Sequence, residues 1–346
     1  EKMAQTLERI TPVTDVEALR GCDFVIEAVF EDPAVKAEIT KRVEGVLGPD
    51  VIFGSNTSTL PITTLAGAWS KPENFIGIHF FSPVERMALV EIILGKQTGD
   101  RAVAKALDFV AQIRKTPIVV NDSRGFYTSR CFGTYVMEGT QMLAEGINPA
   151  LIENMGKQLG MPVGPLAVSD EVSIELGHKV TLATKAALGD AYQASLADDV
   201  AAHMVAIGRL GRKNGKGYYD YPADGGKKAL WPGLATDYPL AINQPTPEAV
   251  RERLLYRQLV ECARCFAEGV LVTPQDGDLG AIFGWGFAPY TGGPFSAIDT
   301  IGPKQVVETL DRLAAAHGDR FAAPQQLRDM AASGATYYGA ADAKVA

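Results

Sequence analysis

The stretch DVIFGSNTSTL at residues 50–60 is followed by FIGIHFFSP at residues 75–83 and ALVEII at residues 88–93. Short runs of Val, Ile and Phe bounded by Gly, Pro, Asn and Ser are typical of strands that are buried on both faces. An Asp-Pro pair at Asp32 precedes apolar residues spaced four apart, which predicts a helix between two such strands. Strands that alternate with helices predict an α/β Rossmann-like fold with a parallel, doubly wound sheet.

The strands of this sheet are predicted at Asp23–Val29, Val51–Ser55, Phe75–Phe81, Leu89–Ile93 and Pro117–Val120. From Asn121 onward the spacing of apolar residues becomes helical, which predicts an all-α second part. Its first helices are expected at Tyr127–Glu145 and Pro149–Leu159, and a third is expected from Leu166.

Each of the three opening stretches contributes one polar residue: Ser58, His79 and Glu91. A buried histidine and a buried glutamate are costly unless they satisfy each other, because desolvation disfavours a lone charge. A carboxylate beside an imidazole fixes its tautomer and supports the imidazolium, as a general base requires. The alternative is that His79 is a satisfied core residue, which is the commoner role of a single histidine in an apolar strand.

Composition restricts the function classes. The chain has 346 residues, of which 47% are hydrophobic and 21% charged, and this is typical of a globular protein with two or three domains. A net charge of −8 argues against nucleic acid as a partner. The four cysteines do not form a disulfide framework, so we expect a reducing compartment, the cytoplasm. Cys262 and Cys265 have metal-ligand spacing but no second pair, and their helical setting favours helix core over a metal site.

A glycine-rich phosphate turn is not found in the predicted sheet. No G-x-G-x-x-G occurs between residues 1 and 121, although a dinucleotide fold uses that turn to hold the pyrophosphate. We therefore expect the first half of the Rossmann domain to lie upstream of Glu1, and residues 1–346 alone to be inactive. The glycines of Gly208–Gly217 lack a preceding strand and are predicted to form a surface turn instead of a phosphate loop.

Several stretches carry a family resemblance: SNTSTL, GIHFFSP, LVEII, KTPIVVNDSRGFYTSR at residues 115–130 and GMPVGP at residues 160–165. Together they resemble the L-3-hydroxyacyl-CoA dehydrogenase family over nearly the whole chain. The resemblance implies NAD-dependent oxidation of an L-3-hydroxyacyl-CoA to the 3-ketoacyl-CoA in fatty-acid β-oxidation. It also implies acyl-CoA as the substrate and NAD as the cofactor.

The resemblance assigns catalytic roles to four residues. His79 corresponds to the base, Glu91 to the residue that orients it, and Ser58 to a group that touches the substrate oxygen and the cofactor. The family usually has Asn in a GFxxNR segment, whereas this chain has Ser129 in GFYTSR. Serine is shorter than asparagine, so the role of this fourth residue is open.

The resemblance also implies a cofactor site. Ala28, Glu31 and Lys36 would line the nicotinamide half of the NAD site together with Ser58, and Ser82 stands where the family often has Asn. The residues alone allow another interpretation, in which Glu31 and Lys36 are the solvated start of a helix.

An internal repeat follows the sheet. An Ala-Glu-Gly triplet occurs at residues 144–146 and again at residues 267–269. A Gly-Pro pair followed by Asp occurs at residues 164–165 and 170, and again at residues 293–294 and 299. The order and spacing predict a duplicated helical domain, with the two copies packed on each other. The predicted domains are a partial NAD-binding domain at 1–121, a first helical copy at 122–222, a linker at 223–245 and a second helical copy at 246–346.

The two-copy form resembles the dehydrogenase part of the multifunctional fatty-acid β-oxidation complex α subunit. This resemblance implies an N-terminal enoyl-CoA hydratase domain and a thiolase subunit as a partner. Two rival functions remain open on sequence alone. Ser58, His79 and Glu91 could form a hydrolase triad, although Ser58 lacks the G-x-S-x-G elbow. The chain could also be a non-catalytic scaffold or a crystallin-like member of the fold.

Overall fold

The computed structural model describes residues 2–339. The chain divides into two compact units, Glu1–Phe126 and Tyr127–Ala346, so the first boundary lies slightly later than the predicted residue 121. Among the described residues, no helix is both long and apolar enough to cross a membrane.

The first unit contains a sheet whose described strands number five. They are β1 (Phe24–Glu27), β2 (Ile52–Ser55), β3 (Phe75–Phe80), β4 (Leu89–Leu94) and β5 (Thr116–Asn121). The strands lie side by side in chain order, and each agrees closely with a predicted strand. The central strands are almost fully buried, as their unbroken apolar runs predict.

The direction of β4 differs from the prediction of an all-parallel sheet. β1, β2 and β3 are parallel, β4 is antiparallel to β3, and β5 is parallel to β4. Only residues 81–88 connect β3 to β4. A parallel crossover needs about a dozen residues or more, so this connection can only reverse the chain. The reversal places His79 directly opposite Glu91 in the ladder.

The helices of this unit are α1 (Lys2–Leu7), α2 (Pro33–Glu44), α3 (Ile62–Ala66) and α4 (Asp100–Gln112), and the last three pack against the sheet. α2 begins where the Asp-Pro pair predicts, because the Asp32 carboxylate accepts hydrogen bonds from the amides of Ala34 and Val35 at 2.9 and 3.0 Å. α4 contributes small apolar side chains to the core beneath β3 and β4. These core residues are Ile52, Ile76, Ile78, Val90, Ile92, Ala102, Ala106 and Val110.

α3 approaches the sheet closely at Gly77 in β3. A Cβ atom at this position would lie 2.8 Å from Ile62 of α3 and 2.8 Å from the Cβ of Ile93. Glycine is therefore required for α3 to pack against β3. This packing fixes the loop between β2 and α3, which carries Ser58.

The second unit is mainly helical. Its helices are α5 (Thr128–Ala144), α6 (Pro149–Gln158), α7 (Pro165–Val172), α8 (Ile174–Leu188), α9 (Leu196–Ala206), α10 (Leu234–Asp237), α11 (Pro247–Ala267), α12 (Pro274–Trp285), α13 (Pro294–Ile301), α14 (Pro303–His317) and α15 (Gln325–Ser333). Two short strands, β6 (Tyr219–Asp220) and β7 (Ala229–Leu230), form an antiparallel pair. The predicted turn at Gly208–Gly217 leads into β6 and includes a 3-10 turn at Arg212–Asn214.

The two segments with the Ala-Glu-Gly triplet, α5 and α11, pack against each other. Each helix ends at the alanine of its triplet, and the glycine that follows adopts a left-handed conformation, with φ of 79° at Gly146 and 73° at Gly269. Glycine adopts this conformation without the steric cost that other residues incur.

The repeated aspartates make the same hydrogen bonds. Asp170 accepts from the amides of residues 218–219 at 2.8 and 2.9 Å, and Asp299 accepts from the amides of residues 337–338 at 2.9 and 3.0 Å. Both pairs of residues are tyrosines. A second acidic pair, Glu153 and Asp278, binds the amides at the start of α7 and of α13.

The segment Tyr221–Pro245 differs from the predicted linker. It contains β7 and α10, and the amide of Trp231 donates to the carbonyl oxygen of Tyr218 at 2.9 Å. The Arg209 guanidinium lies over the Trp231 ring, 4.1 Å from its centroid. The segment Tyr221–Pro245, although rich in Pro, Gly and Lys, is therefore a folded part of the second unit, and the prediction of a linker is wrong.

Candidate active site

The candidate active site of the first unit is built around His79 and Glu91. His79 lies in β3 and Glu91 in β4, and the antiparallel register places them opposite each other. The Nδ1 atom of His79 is 2.9 Å from Oε2 of Glu91. His79 is 4% exposed and Glu91 is fully buried. The predicted pair is therefore formed, and the carboxylate fixes the imidazole orientation.

Aromatic rings surround the imidazole. The ring centroids of His79 and Phe81 are 4.4 Å apart, and those of His79 and Phe126 are 6.1 Å apart. Phe126 is buried and has a φ of 49°, which is uncommon for a bulky residue. The amide of the preceding Gly125 donates to the carbonyl oxygen of Thr59 at 3.2 Å, which ties this segment to the loop that carries Ser58.

The carboxyl ends of β1, β2 and β3 lie at one edge of the sheet because these strands are parallel. Ala28 directly follows β1, Ser58 follows β2, and Ser82 follows β3. All three residues are exposed. In open α/β sheets, ligands bind outside the carboxyl ends of the strands, so three of the predicted cofactor residues share the expected edge.

Glu31 organises the Ser58 loop. Its Oε1 atom accepts hydrogen bonds from the amides of Ser58 and Thr59 at 2.9 and 3.0 Å. The same atom accepts from the hydroxyl groups of Thr57 and Thr59 at 2.7 and 3.2 Å. Glu31 is therefore more than the solvated start of a helix, since it holds the loop in one conformation.

Lys36 does not present its ammonium group to the exposed edge. The side chain is 1% exposed, and its Nζ atom lies 2.9 and 3.1 Å from the two carboxylate oxygens of Glu27. Glu27 is also buried, and it accepts a hydrogen bond from the Ser55 hydroxyl. Sequence reasoning missed Glu27, although a glutamate within the apolar run of β1 is the same signal that identified Glu91 in β4.

The fourth predicted catalytic residue lies in the other unit. Ser129 is the second residue of α5 and is half-buried. The first unit thus brings together His79 with Glu91, and Glu31 with Ser58, while Ser129 is not part of that unit.

Three of the four cysteines belong to the second unit. Cys262 and Cys265 are buried in α11, as the helix-core interpretation predicts, and all four cysteines are free. Within residues 2–339, no cluster of three or more His, Cys, Asp or Glu side chains is arranged to hold a metal ion.

The residues at the sheet edge fit the nicotinamide half of a dinucleotide. Serine hydroxyl groups can donate to or accept from ribose and amide groups, a carboxylate accepts from ribose hydroxyl groups, and Ala28 leaves room for close approach. Glu31, Ser58 and Ser82 supply these groups at the carboxyl ends of the strands. The buried Lys36 would act on the site through Glu31, whose Oε2 atom is 3.7 Å from Nζ.

Comparisons with known proteins identify the family of this chain. Residues 1–123 match the family model described as 3-hydroxyacyl-CoA dehydrogenase, NAD binding domain. Residues 125–221 match the model described as 3-hydroxyacyl-CoA dehydrogenase, C-terminal domain. The chain is 42% identical over 332 residues to the fatty acid oxidation complex subunit alpha of Shewanella loihica, covering 95% of this chain and 46% of that protein. It therefore spans about half the length of the curated relatives it matches.

Solved structures extend the comparison. The (S)-3-hydroxybutyryl-CoA dehydrogenase from Ralstonia eutropha is 38% identical, with a TM-score of 0.59 over 63% of this chain and 77% of that chain. A 3-hydroxybutyryl-CoA dehydrogenase from Escherichia coli shares the fold, with 24% identity and a TM-score of 0.80 over 95% of this chain and 85% of that chain. From its matched domains and its similarity to these proteins, the chain belongs to the 3-hydroxyacyl-CoA dehydrogenase family.

Proposed function

We propose that this chain catalyses the NAD-dependent oxidation of L-3-hydroxyacyl-CoA to 3-ketoacyl-CoA in fatty-acid β-oxidation. The observation that carries the proposal is the cross-strand pair of His79 and Glu91, 2.9 Å apart, in a unit that matches an NAD-binding domain. This pair supplies a base. The exposed edge of the sheet in the same unit supplies Ala28, Glu31 and Ser58 as residues for binding the cofactor.

The reaction requires removal of the hydroxyl proton as hydride leaves the adjacent carbon. Because Nδ1 of His79 is held by Glu91, Nε2 is the nitrogen that accepts this proton. The imidazolium that results is stabilised by the Glu91 carboxylate at 2.9 Å. A positioned base of this kind contributes about 10²–10⁴-fold to the rate.

NAD, when bound, accepts the hydride. The protein residues bind and orient the reactants. Ser58 donates to the reacting oxygen, and Glu31 fixes the loop that carries Ser58. The Phe81 and Phe126 rings shield the imidazole from water. Ser129 takes the role of the usual asparagine as a hydrogen-bonding group for the substrate.

The helical half of the chain is a tandem repeat in this proposal. The first copy corresponds to residues 122–222 and the second to residues 246–346, with residues 223–245 as a folded connection. The matching hydrogen bonds of Asp170 and Asp299 support this assignment. The described part of the second copy, residues 246–339, contributes no residue to the proposed site, so we assign it packing rather than catalysis.

The whole protein is proposed to carry further activities and partners. The similarity to proteins named fatty acid oxidation complex subunit alpha supports at least one further subunit as a partner. We propose a thiolase as that subunit and an enoyl-CoA hydratase domain in the same protein. The four free cysteines support a reducing compartment, the cytoplasm.

The experiment that tests the dehydrogenase proposal follows NADH formation by the intact protein. An L-3-hydroxyacyl-CoA should be oxidised, and the D enantiomer should not, because the base and the hydride acceptor fix one face of the carbon. Absence of NADH formation with L-3-hydroxyacyl-CoA of short, medium and long chains would contradict the proposal and favour a scaffold. A burst of acyl-enzyme with an ester substrate would instead favour a hydrolase.

A further inference from the structure

A buried polar cluster connects the core of the first unit to the Ser58 loop. It contains Glu27 at the end of β1, Lys36 in α2, Ser55 at the end of β2, and Glu31 between β1 and α2. Glu27 and Lys36 are 6% and 1% exposed. Charges at this depth are strongly disfavoured unless they are paired and hydrogen-bonded.

Glu27 is the centre of this cluster. It accepts hydrogen bonds from the Lys36 ammonium, from the Ser55 hydroxyl and, at 3.0 Å, from the amide of Val29. It thereby joins β1, β2 and α2. Its carboxylate is the nearest counter-charge to Lys36, since the Glu31 carboxylate lies further away at 3.7 Å.

Lys36 relays this arrangement to Glu31. The Oε2 atom of Glu31 faces the Lys36 ammonium, while Oε1 holds the hydroxyl and amide groups of residues 57–59. The two oxygens of Glu31 therefore have separate roles. One balances a charge that Glu27 fixes in place, and the other fixes the conformation of Ser58.

We propose that Glu27 is a positioning residue for the dehydrogenase reaction, which acts through Lys36 and Glu31 to place Ser58. This inference rests on the proposed function of Ser58. Loss of the Glu27 charge leaves the buried ammonium of Lys36 with Glu31 as its nearest carboxylate. The Lys36 ammonium is then no longer fixed, so Glu31 loses the charge that holds its Oε2 atom in place, and the Ser58 loop is no longer held in one conformation.

The test compares two single variants, Glu27→Gln and Lys36→Met, with the double variant in the intact protein. We expect Glu27→Gln to lower kcat/KM for NAD at least about tenfold, as for loss of a hydrogen bond to a charged group. Since both residues act through one chain of contacts, the double variant should lose about as much as either single variant. The double variant also removes both buried charges, so it keeps the test valid if Glu27→Gln does not fold.

Glu138→Gln is the matched control. Glu138 is a buried carboxylate paired with Arg253 in the second unit, so the substitution removes a comparable charge from a unit other than the NAD-binding one. It should lower Tm and leave the kinetic constants for NAD unchanged. Hydrogen exchange gives a direct readout, because the amides of Ser58 and Thr59 should exchange faster in Glu27→Gln while those of β4 do not.

The outcomes separate this inference from the proposed function. If wild-type protein oxidises L-3-hydroxyacyl-CoA but the double variant keeps wild-type constants, Glu27 is structural only and the inference is overturned. If wild-type protein has no dehydrogenase activity, the proposed function fails, and hydrogen exchange at Ser58 and Thr59 still decides whether Glu27 positions the loop. Unchanged exchange at these amides in a folded variant would also overturn the inference.

Discussion

Arg130 and Arg253 occupy equivalent positions in α5 and α11. Each arginine pairs with one glutamate inside the other helix and with the glutamate that directly follows that helix. Arg130 contacts Glu261 at 2.6 Å and Glu268 at 2.5 Å. Arg253 contacts the glutamates that correspond to these, at positions 138 and 145, at 2.5 and 2.6 Å. The spacing from Arg130 to Arg253 equals the spacing between the corresponding glutamates. The contact between the two helical copies is therefore reciprocal, as in an interface with two-fold symmetry.

The first prediction concerns this contact. Arg253 is 4% exposed and its partner Glu138 is 1% exposed. Arg253→Ala leaves Arg320, at 2.8 Å, as the remaining partner of the Glu138 carboxylate. Loss of a buried partner without replacement costs about 3–5 kcal/mol, so with Arg320 still present we expect a loss of about 1.5–3 kcal/mol. The control is Arg312→Ala, which removes an exposed pair with Glu252 and should cost about 0–1 kcal/mol. Urea unfolding measures both values, and equal losses would show that the Arg253 contact does not stabilise the second unit.

The second prediction concerns the base. His79→Gln should lower kcat about 10²–10⁴-fold while acyl-CoA still binds, because the proton acceptor is lost. Glu91→Gln should fall in the same range through loss of orientation, and the double variant should add little to either. His203→Gln makes the same substitution at an exposed histidine paired with Asp237 in the second unit, and it should leave kcat unchanged. A His79→Gln enzyme with more than about half of the wild-type kcat would refute the base assignment.

The third prediction concerns Ser129, where the family usually has asparagine. Ser129→Ala should lower kcat/KM by about twofold to tenfold, the usual effect of losing one neutral hydrogen bond. Ser129→Asn should be tolerated because it restores the family residue. Ser333→Ala, at the exposed end of α15, serves as the control. Unchanged kinetics in Ser129→Ala would show that this serine has no role in substrate binding.

The sequence predicted the positions of all five strands because both faces of the central strands are buried, so their apolar runs are unbroken. It did not predict the direction of β4, since strand patterns carry no direction. The direction follows from the connection at residues 81–88, which is too short for a parallel crossover. The segment around Trp231 was mistaken for a linker because its structure depends on contacts with distant residues, such as the carbonyl oxygen of Tyr218.

In the candidate site, too, some contacts could be predicted from the sequence and others could not. His79 and Glu91 could be paired from their polar character in apolar strands, and the structure confirms the pair at 2.9 Å. Lys36 was predicted to line the cofactor site, with a solvated helix start as the alternative. Its burial on Glu27 could not be seen from spacing because the two residues lie on different elements. A charged residue in a buried strand needs a partner, and this physical rule would have identified Glu27 as well.

The last prediction concerns pH and Asp170. Burial raises the pKa of this carboxyl from 3.8 to about 6, although the amides of Tyr218 and Tyr219 and the Tyr221 hydroxyl favour its charged form. A raised pKa means that, between pH 4 and 6, the folded state holds a proton that the unfolded state has lost. The stability that this proton contributes is fully present below about pH 4 and is lost as pH rises through about 6.

Asp170→Asn cannot titrate, so its unfolding free energy should vary less with pH in this window than that of wild-type protein. From pH 4 to pH 6.5, the unfolding free energy of wild-type protein should fall relative to that of the variant by on the order of 3 kcal/mol, at 1.36 kcal/mol per pKa unit. Asp224→Asn, in an exposed turn, should keep the wild-type pH dependence. Urea unfolding across this range provides the measurement. Parallel curves for wild-type protein and Asp170→Asn would show that Asp170 has the same pKa in the folded and unfolded states.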